Sequence, residues 1–181
     1  MLEKKKILRK IIKVRVSAIS PEERKKREEI LHNNLFSLPE FLSASSVLLF
    51  ANLPDEIDTF SLIDKCIAMG KKVYLPVING DDMTACEFTG EYQIGRYGIK
   101  EPSLLTPHSS LLTPNSIDFV LVPGVAFSPN GYRLGRGKGY YDKFLSKYSN
   151  LFTVGACFRE QFYLDIPTEP HDIPMNKVIV C

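Results

Sequence analysis

The sequence has no tryptophan, few cysteines and histidines, and almost no net charge. Lys plus Arg total 23 against 21 Asp plus Glu, and a balance of +2 does not by itself point to a nucleic-acid partner. Cys66, Cys86, Cys157 and Cys181 form no C-x-x-C, and His32, His108 and His171 do not stand at zinc-site spacing. Reduced thiols and no structural zinc are expected. No apolar run approaches the roughly 18–20 residues that cross a bilayer. The opening MLEKKKILRKIIKVRV lacks the long apolar core and cleavage site of a secretory signal, and its bias to Lys over Arg, with Glu3 early, argues against a mitochondrial presequence. The expected setting is cytoplasmic, with no membrane association.

What is present is an ordinary globular balance, 44% hydrophobic and 24% charged, which excludes a disordered chain. At 181 residues the expectation is a single domain, 1–181, that buries about 70% of its unfolded surface without disulfide or metal. Ile7, Leu8, Ile11, Ile12 and Val14 recur at helical spacing, so 2–19 reads as an amphipathic helix. Ser20-Pro21-Glu22-Glu23 is a capping box opening a second helix, with Ile30, Leu31 and Leu35 on its apolar face and Pro39 ending it. Strands are expected at Val47–Ala51, Lys72–Val77, Ile117–Val122, Phe152–Phe158 and Lys177–Val180, with a weaker one at Met83–Phe88. Asp58 or Thr59 caps an intervening helix that Gly70 stops, and another helix covers about Gly139–Tyr148. Residues 89–116 read as loop. Strands alternating with helices predict an α/β fold: an open, mostly parallel sheet between helical layers, with two helices before the first strand.

One segment carries chemistry. Pro123–Asp142 follows a buried strand and precedes a helix, where open α/β sheets collect ligands. Gly135, Gly137 and Gly139 let the backbone approach an anion closely, and the following helix start adds favourable potential. Arg133, Arg136 and Lys138 crowd the same turn, which is costly unless an anion neutralises them, and a polyphosphate is the obvious one. The loop is neither a Walker A motif nor a dinucleotide fingerprint. Asp142, one turn into the helix, suits either Mg²⁺ or the helix dipole. Asp172, in the Pro-rich loop before the last strand, is a second candidate ligand or a turn residue. Phe127, Tyr140 and Tyr141 could stack on a flat ring, with Phe127 better placed in the core.

The run NGYRLGRGKGYYD (130–142) resembles the signature of the 5-formyltetrahydrofolate cyclo-ligase family, also called methenyltetrahydrofolate synthetases. Similar landmarks follow the same order: K-K-x-x-L-R in the first helix, S-P-E-E-R at 20–24, D-E-I-D-T at 55–59, G-I-x-E-P at 98–102, P-G-x-A-F at 123–127 and H-D-x-P-M at 171–175. The resemblance implies closure of 5-formyltetrahydrofolate to 5,10-methenyltetrahydrofolate with ATP and Mg²⁺, by a monomer acting on small molecules. It implies that Lys5, Lys6, Ile7, Leu8 and Arg9 contact ATP, with Lys5 and Arg9 the main cations. Arg133, Leu134, Gly135, Arg136, Gly137, Lys138, Gly139, Tyr140 and Tyr141 would wrap the phosphates, and Arg136 to Tyr140 would also face the formyl-folate. Arg136 and Lys138 would stabilise the transferring phosphoryl. Glu56 would contact the pterin with Ala51 lining the pocket, and Asp142 and Asp172 would carry Mg²⁺. Asn176 stands where many members carry Asp, a departure that speaks against a metal role there but not at Asp172.

Two rivals rest on the residues alone. One is a sugar-phosphate isomerase or CoA transferase using Glu56 as a catalytic carboxylate. The other is an RNA-binding module using the basic first helix and the Gly/Arg loop, although no aromatic-interleaved strand supports it.

Overall fold

A computed structural model describes residues 2–95, 98–103, 117–148 and 150–181, so His108 and the loop expected over 104–116 lie outside the described residues. Helix α1 (Leu2–Ser17) buries Lys5, Ile12 and Val16, which share one face at intervals of seven and four. Helix α2 (Pro21–Phe36) starts as expected: Ser20 Oγ accepts the Glu23 amide at 3.2 Å. Only half of the capping box forms there, because the Glu23 carboxylate accepts from Arg27 Nε at 2.7 Å. Pro39 does more than end α2. It stands at the start of a short helix α3 (Pro39–Ser43), using a proline's preset φ where no amide donor is needed.

The remaining elements are β1 (Ser46–Leu48), α4 (Phe60–Ala68), β2 (Lys72–Asn79), β3 (Asp82–Glu87), β4 (Tyr92–Ile94), β5 (Lys100–Pro102), β6 (Phe119–Val122), β7 (Ala126–Phe127), β8 (Arg133–Leu134), α5 (Tyr140–Ser146), β9 (Phe152–Cys157) and β10 (Lys177–Val180). Six strands form one sheet in the order β10-β9-β6-β1-β2-β3. All neighbours run parallel except β3, which returns antiparallel beside β2. The mostly parallel sheet, flanked by helices and preceded by two of them, is the expected architecture.

Burial explains why the central strands read as continuous apolar runs. Val47, Val73, Phe119 and Leu121 face a core shared with α1–α4, while Leu48, Tyr74, Val120 and Val122 face a second core shared with α5. Both faces of the sheet are therefore covered, as parallel sheets require. Polar side chains pin the strand starts. Asp118 Oδ2 accepts from the amides of Ser45 and Ser46 at 2.9 and 3.0 Å, joining β6 to β1. Asn176 Oδ1 accepts from the Thr153 amide and hydroxyl at 2.7 and 2.9 Å, joining β10 to β9. Asn176 thus has a structural task away from any metal.

Three expectations need correction. The stretch read as loop from 89 carries the small antiparallel pair β4–β5. The glycine-rich connection contains the hairpin β7–β8, in which Ala126 opposes Leu134. The helix expected over 139–148 is the shorter, seven-residue α5, starting at Tyr140 and ending at Ser146. Beneath the hairpin, the Phe127 ring lies over two glycines: a Cβ at Gly155 would fall 2.2 Å from it, and one at Gly124 2.7 Å.

Candidate active site

The β1–α4 connection is shaped before any ligand arrives. The Thr59 hydroxyl donates to the Phe50 carbonyl and accepts the Asn52 amide at 3.1 Å, while Asn52 Oδ1 accepts the Thr59 amide at 3.0 Å. Thr59 therefore spends its side chain on the loop, and Asp58 does the capping, accepting from the Phe60 amide at 3.0 Å. The connection delivers Ala51, Asp55 and Glu56 to the carboxyl end of the sheet. Glu56 folds back to accept the Leu53 amide at 2.9 Å. From β8 the chain enters Gly135–Gly139, where Gly137 and Gly139 take φ of +106° and +67°, conformations that side-chain-bearing residues rarely adopt.

These segments enclose a cleft of about 420 Å³. Ala51, Glu56, Arg133, Gly135, Arg136, Lys138, Gly139, Tyr140, Tyr141 and Asp142 line it, so most of the site expected from sequence converges on one cavity. Another part of the wall is apolar: Pro76 and Ile78 of β2, Met83 of β3, and Ile99, with Glu101 of β5 also in the lining. This wall was not anticipated, although G-I-x-E-P at 98–102 held two of its residues. Gly137 and Leu134 do not line the cavity, and Leu134 is buried in the core. Asp172 and residues 5–9 also stand outside the lining. Lys6 and Ile7 are exposed on α1, and Leu8 packs against the core.

The electrostatics differ from expectation in an instructive way. The loop's positive charge is largely met by the chain's own carboxylates. Arg133 is buried, with Nη2 2.8 Å from Asp142 Oδ1 and Nη1 donating to the Ile173 carbonyl at 3.1 Å. Arg136 Nη2 meets Asp55 at 2.7 Å and Glu56 at 3.0 Å. Those carboxylates hold the Arg136 pKa up against the opposing effect of burial. Lys5 pairs with Glu169 at 3.1 Å and Asp172 at 3.4 Å. Among the described residues, Arg9 and Lys138 are the cations here without a carboxylate partner. Arg9 Nε donates to the Gly135 carbonyl at 2.8 Å, and its guanidinium lies 3.7 Å from where a Gly137 Cβ would stand. Partial burial lowers the Arg9 pKa. Tyr141 adds a fully buried hydroxyl with no hydrogen-bond partner among the described residues, its pKa raised by burial and by the nearby Glu56 charge.

By donor chemistry, the carboxylates suit a hard divalent cation. Asp142 uses Oδ1 for Arg133 and the Ile173 amide, and Asp172 uses Oδ2 for Lys5 and the Glu169 amide. Each keeps a second oxygen, and Mg²⁺ typically takes one or two carboxylates while phosphates and water complete its shell. Asp172 groups with Glu169 and His171 within 4.8 Å, whereas Asp142 lies outside that group.

The model of the 5-formyltetrahydrofolate cyclo-ligase family matches residues 1–181. A probable 5-formyltetrahydrofolate cyclo-ligase of Caenorhabditis elegans is 31% identical over 98% of this chain and 92% of its own length. The 5-formyltetrahydrofolate cyclo-ligase of Escherichia coli strain K12 is 30% identical over 93% of this chain and 96% of its own. The NMR structure of the Aquifex aeolicus 5,10-methenyltetrahydrofolate synthetase superposes with a TM-score of 0.85 at 32% identity, covering 97% of this chain and 89% of that one.

Proposed function

Because the chain belongs to the 5-formyltetrahydrofolate cyclo-ligase family, we propose that it closes 5-formyltetrahydrofolate to 5,10-methenyltetrahydrofolate at the expense of ATP, and that the cleft holds both substrates. The observation that carries this reading is the meeting of two unlike surfaces at one cavity. The glycine turn and Lys138 line it, with Arg9 held against Gly135 just outside the lining, and the same cavity carries apolar side chains suited to a flat reduced pterin.

A formamide oxygen is a poor leaving group. In the proposed reaction it attacks the γ-phosphorus of ATP, and ADP departs. The substrate's own N10 then attacks the activated formyl carbon, the C–O bond breaks with release of phosphate, and the N10 proton is lost. The protein supplies no nucleophile. It aligns the substrates and offsets phosphoryl charge. Arg9 and Lys138 receive phosphate oxygens. Arg136 turns from Asp55 and Glu56 toward the transferring group, and Glu56 contacts the pterin. The Tyr141 hydroxyl offers a desolvated donor that gains its first partner from bound substrate. Asp142 and Asp172 would hold Mg²⁺, which neutralises charge on the phosphate oxygens when bound.

The test is direct. Purified chain, ATP, MgCl₂ and 5-formyltetrahydrofolate are mixed, and the absorbance of the methenyl product is followed together with ADP release. Product should appear only with both substrates, one ADP for each ring closed. Turnover of neither ends the reading.

A further inference from the structure

We propose that Glu101 is a further specificity-determining residue of this cleft, its carboxylate receiving the adjacent N3–H and 2-amino donors of the pterin's pyrimidine ring. The proposal rests on the folate reading above and adds to it a residue and the substrate edge it recognises.

Glu101 lines the cleft and is 5% exposed. Its neighbours in the lining include Pro76, Ile78, Met83 and Ile99, none of which offers a side-chain donor. Among the described residues, the one hydrogen bond to the carboxylate is long: the Ile78 amide donates to Oε1 at 3.4 Å. No cation pairs with it among the described residues. The contrast with the other carboxylates of the site is sharp, since Asp55, Glu56, Asp142 and Asp172 each meet an arginine or lysine. A buried carboxylate without a partner is expensive to keep. Burial accordingly pushes its pKa above the ordinary 4.5.

The backbone makes room for this group. A Cβ on Gly95 would stand 2.0–2.5 Å from the three carboxylate atoms of Glu101, so the glycine lets the carboxylate sit against the main chain. β4–β5 pairing, with Gln93 opposite Glu101, fixes the residue on a strand. A pre-placed acceptor in an apolar slot calls for a ligand edge with two neighbouring N–H donors. A carboxylate takes such an edge as it takes a guanidinium, through two parallel bonds. The 2-amino-4-oxo pyrimidine of a reduced pterin has that edge. Adenine does not, because its amino group is flanked by ring acceptors. Glu101 therefore suits the folate and not the nucleotide.

The test compares the binding of 5-formyltetrahydrofolate and its 2-desamino analogue to the full chain by calorimetry. Wild type should bind the analogue about 10–100-fold more weakly, the worth of hydrogen bonds to a charged group. Glu101→Leu should bind 5-formyltetrahydrofolate weaker by a similar factor and no longer tell the two ligands apart. Its affinity for ATP with Mg²⁺ should be unchanged. Glu101→Gln, the near-isosteric variant, keeps one acceptor oxygen and should lose part of the discrimination. It carries the test if the leucine variant does not fold. Gly95→Ala should push the carboxylate aside and weaken folate binding while sparing the nucleotide. If wild type binds 5-formyltetrahydrofolate but the Glu101 variants still reject the analogue as wild type does, this proposal is wrong and the folate reading stands. If wild type ignores 5-formyltetrahydrofolate, both fall.

Discussion

Replacing Asp142 by alanine strips the charge partner from an arginine with very little access to water. The Arg133 side chain is 4% exposed and Asp142 20%, with 2.8 Å between Nη2 and Oδ1. The remaining bond from Nη1 to the Ile173 carbonyl does not offset a full charge. Breaking a buried pair from one side costs about 3–5 kcal/mol, because the other charge is left uncompensated. For a chain of this size each kcal/mol moves Tm by about 2–4 °C, so the loss should be about 6–20 °C. The pair is asymmetric. Arg133→Met leaves the better-exposed Asp142 behind, where solvent reaches it, and should cost less than Asp142→Ala. The double variant Arg133→Met/Asp142→Ala removes both charges and should recover much of the loss. Calorimetric melting at pH 7, without ligand, measures all three. A drop below about 3 °C for Asp142→Ala, or a double variant no more stable than that single one, would refute the reasoning.

Arg136→Ala should lose about 10²–10³ in turnover, the usual worth of one electrostatic donor at a charge-developing site. It should stay folded, since pairs made by a side chain 44% exposed add little stability; a folded, fully active variant removes Arg136 from catalysis. Arg9→Ala should weaken ATP binding about tenfold, with 5-formyltetrahydrofolate binding intact, as equilibrium titration of each ligand would show. Burial holds His32 below its ordinary pKa of 6.5, its Nε2 2.9 Å from the Asp58 carbonyl. The stability this gives is complete above 6.5 and declines as pH falls through the lowered value. The gap in Tm between wild type and His32→Gln should therefore narrow from pH 7 to pH 5, and a gap that widens would contradict the sign. Burial also pushes the Cys66 thiol up to about 11 and Cys181 up to about 12. Iodoacetamide at pH 8 should label both only after unfolding, and rapid labelling of native Cys66 would show the burial to be wrong.

What could be read from the chain divides along physical lines. Local chemistry was legible. Ser20 caps α2, and the apolar runs at 47, 119 and 154 became buried parallel strands because two covered faces demand apolar residues at every position. The glycine turn, Glu56 and Tyr140–Asp142 met in one cleft because loops at strand ends converge there. Partner choice was not legible. That Arg133 and Lys5 are already neutralised depends on Asp142, Glu169 and Asp172, carboxylates at sequence distances that no periodicity reveals. β3 pairs antiparallel because a tight turn at Gly80 returns the chain beside β2, and short apolar runs do not announce their direction. Glu101 looked like one letter of a short landmark. Its significance lies in its burial in the cleft with no cation pairing with it among the described residues, which only three dimensions disclose.

The ring of Phe127 bears on how such a cleft evolves. It fills the space that methyl groups on Gly155 and Gly124 would need, and Gly124 is itself part of the cavity wall. Adding a single carbon at 155, on a strand outside the cavity lining, would shove the ring toward that wall and narrow the room above it. Mutational surveys restricted to substrate-touching positions would overlook this. The breadth of the chamber is governed from the storey below, by two glycines and the aromatic plate wedged against them.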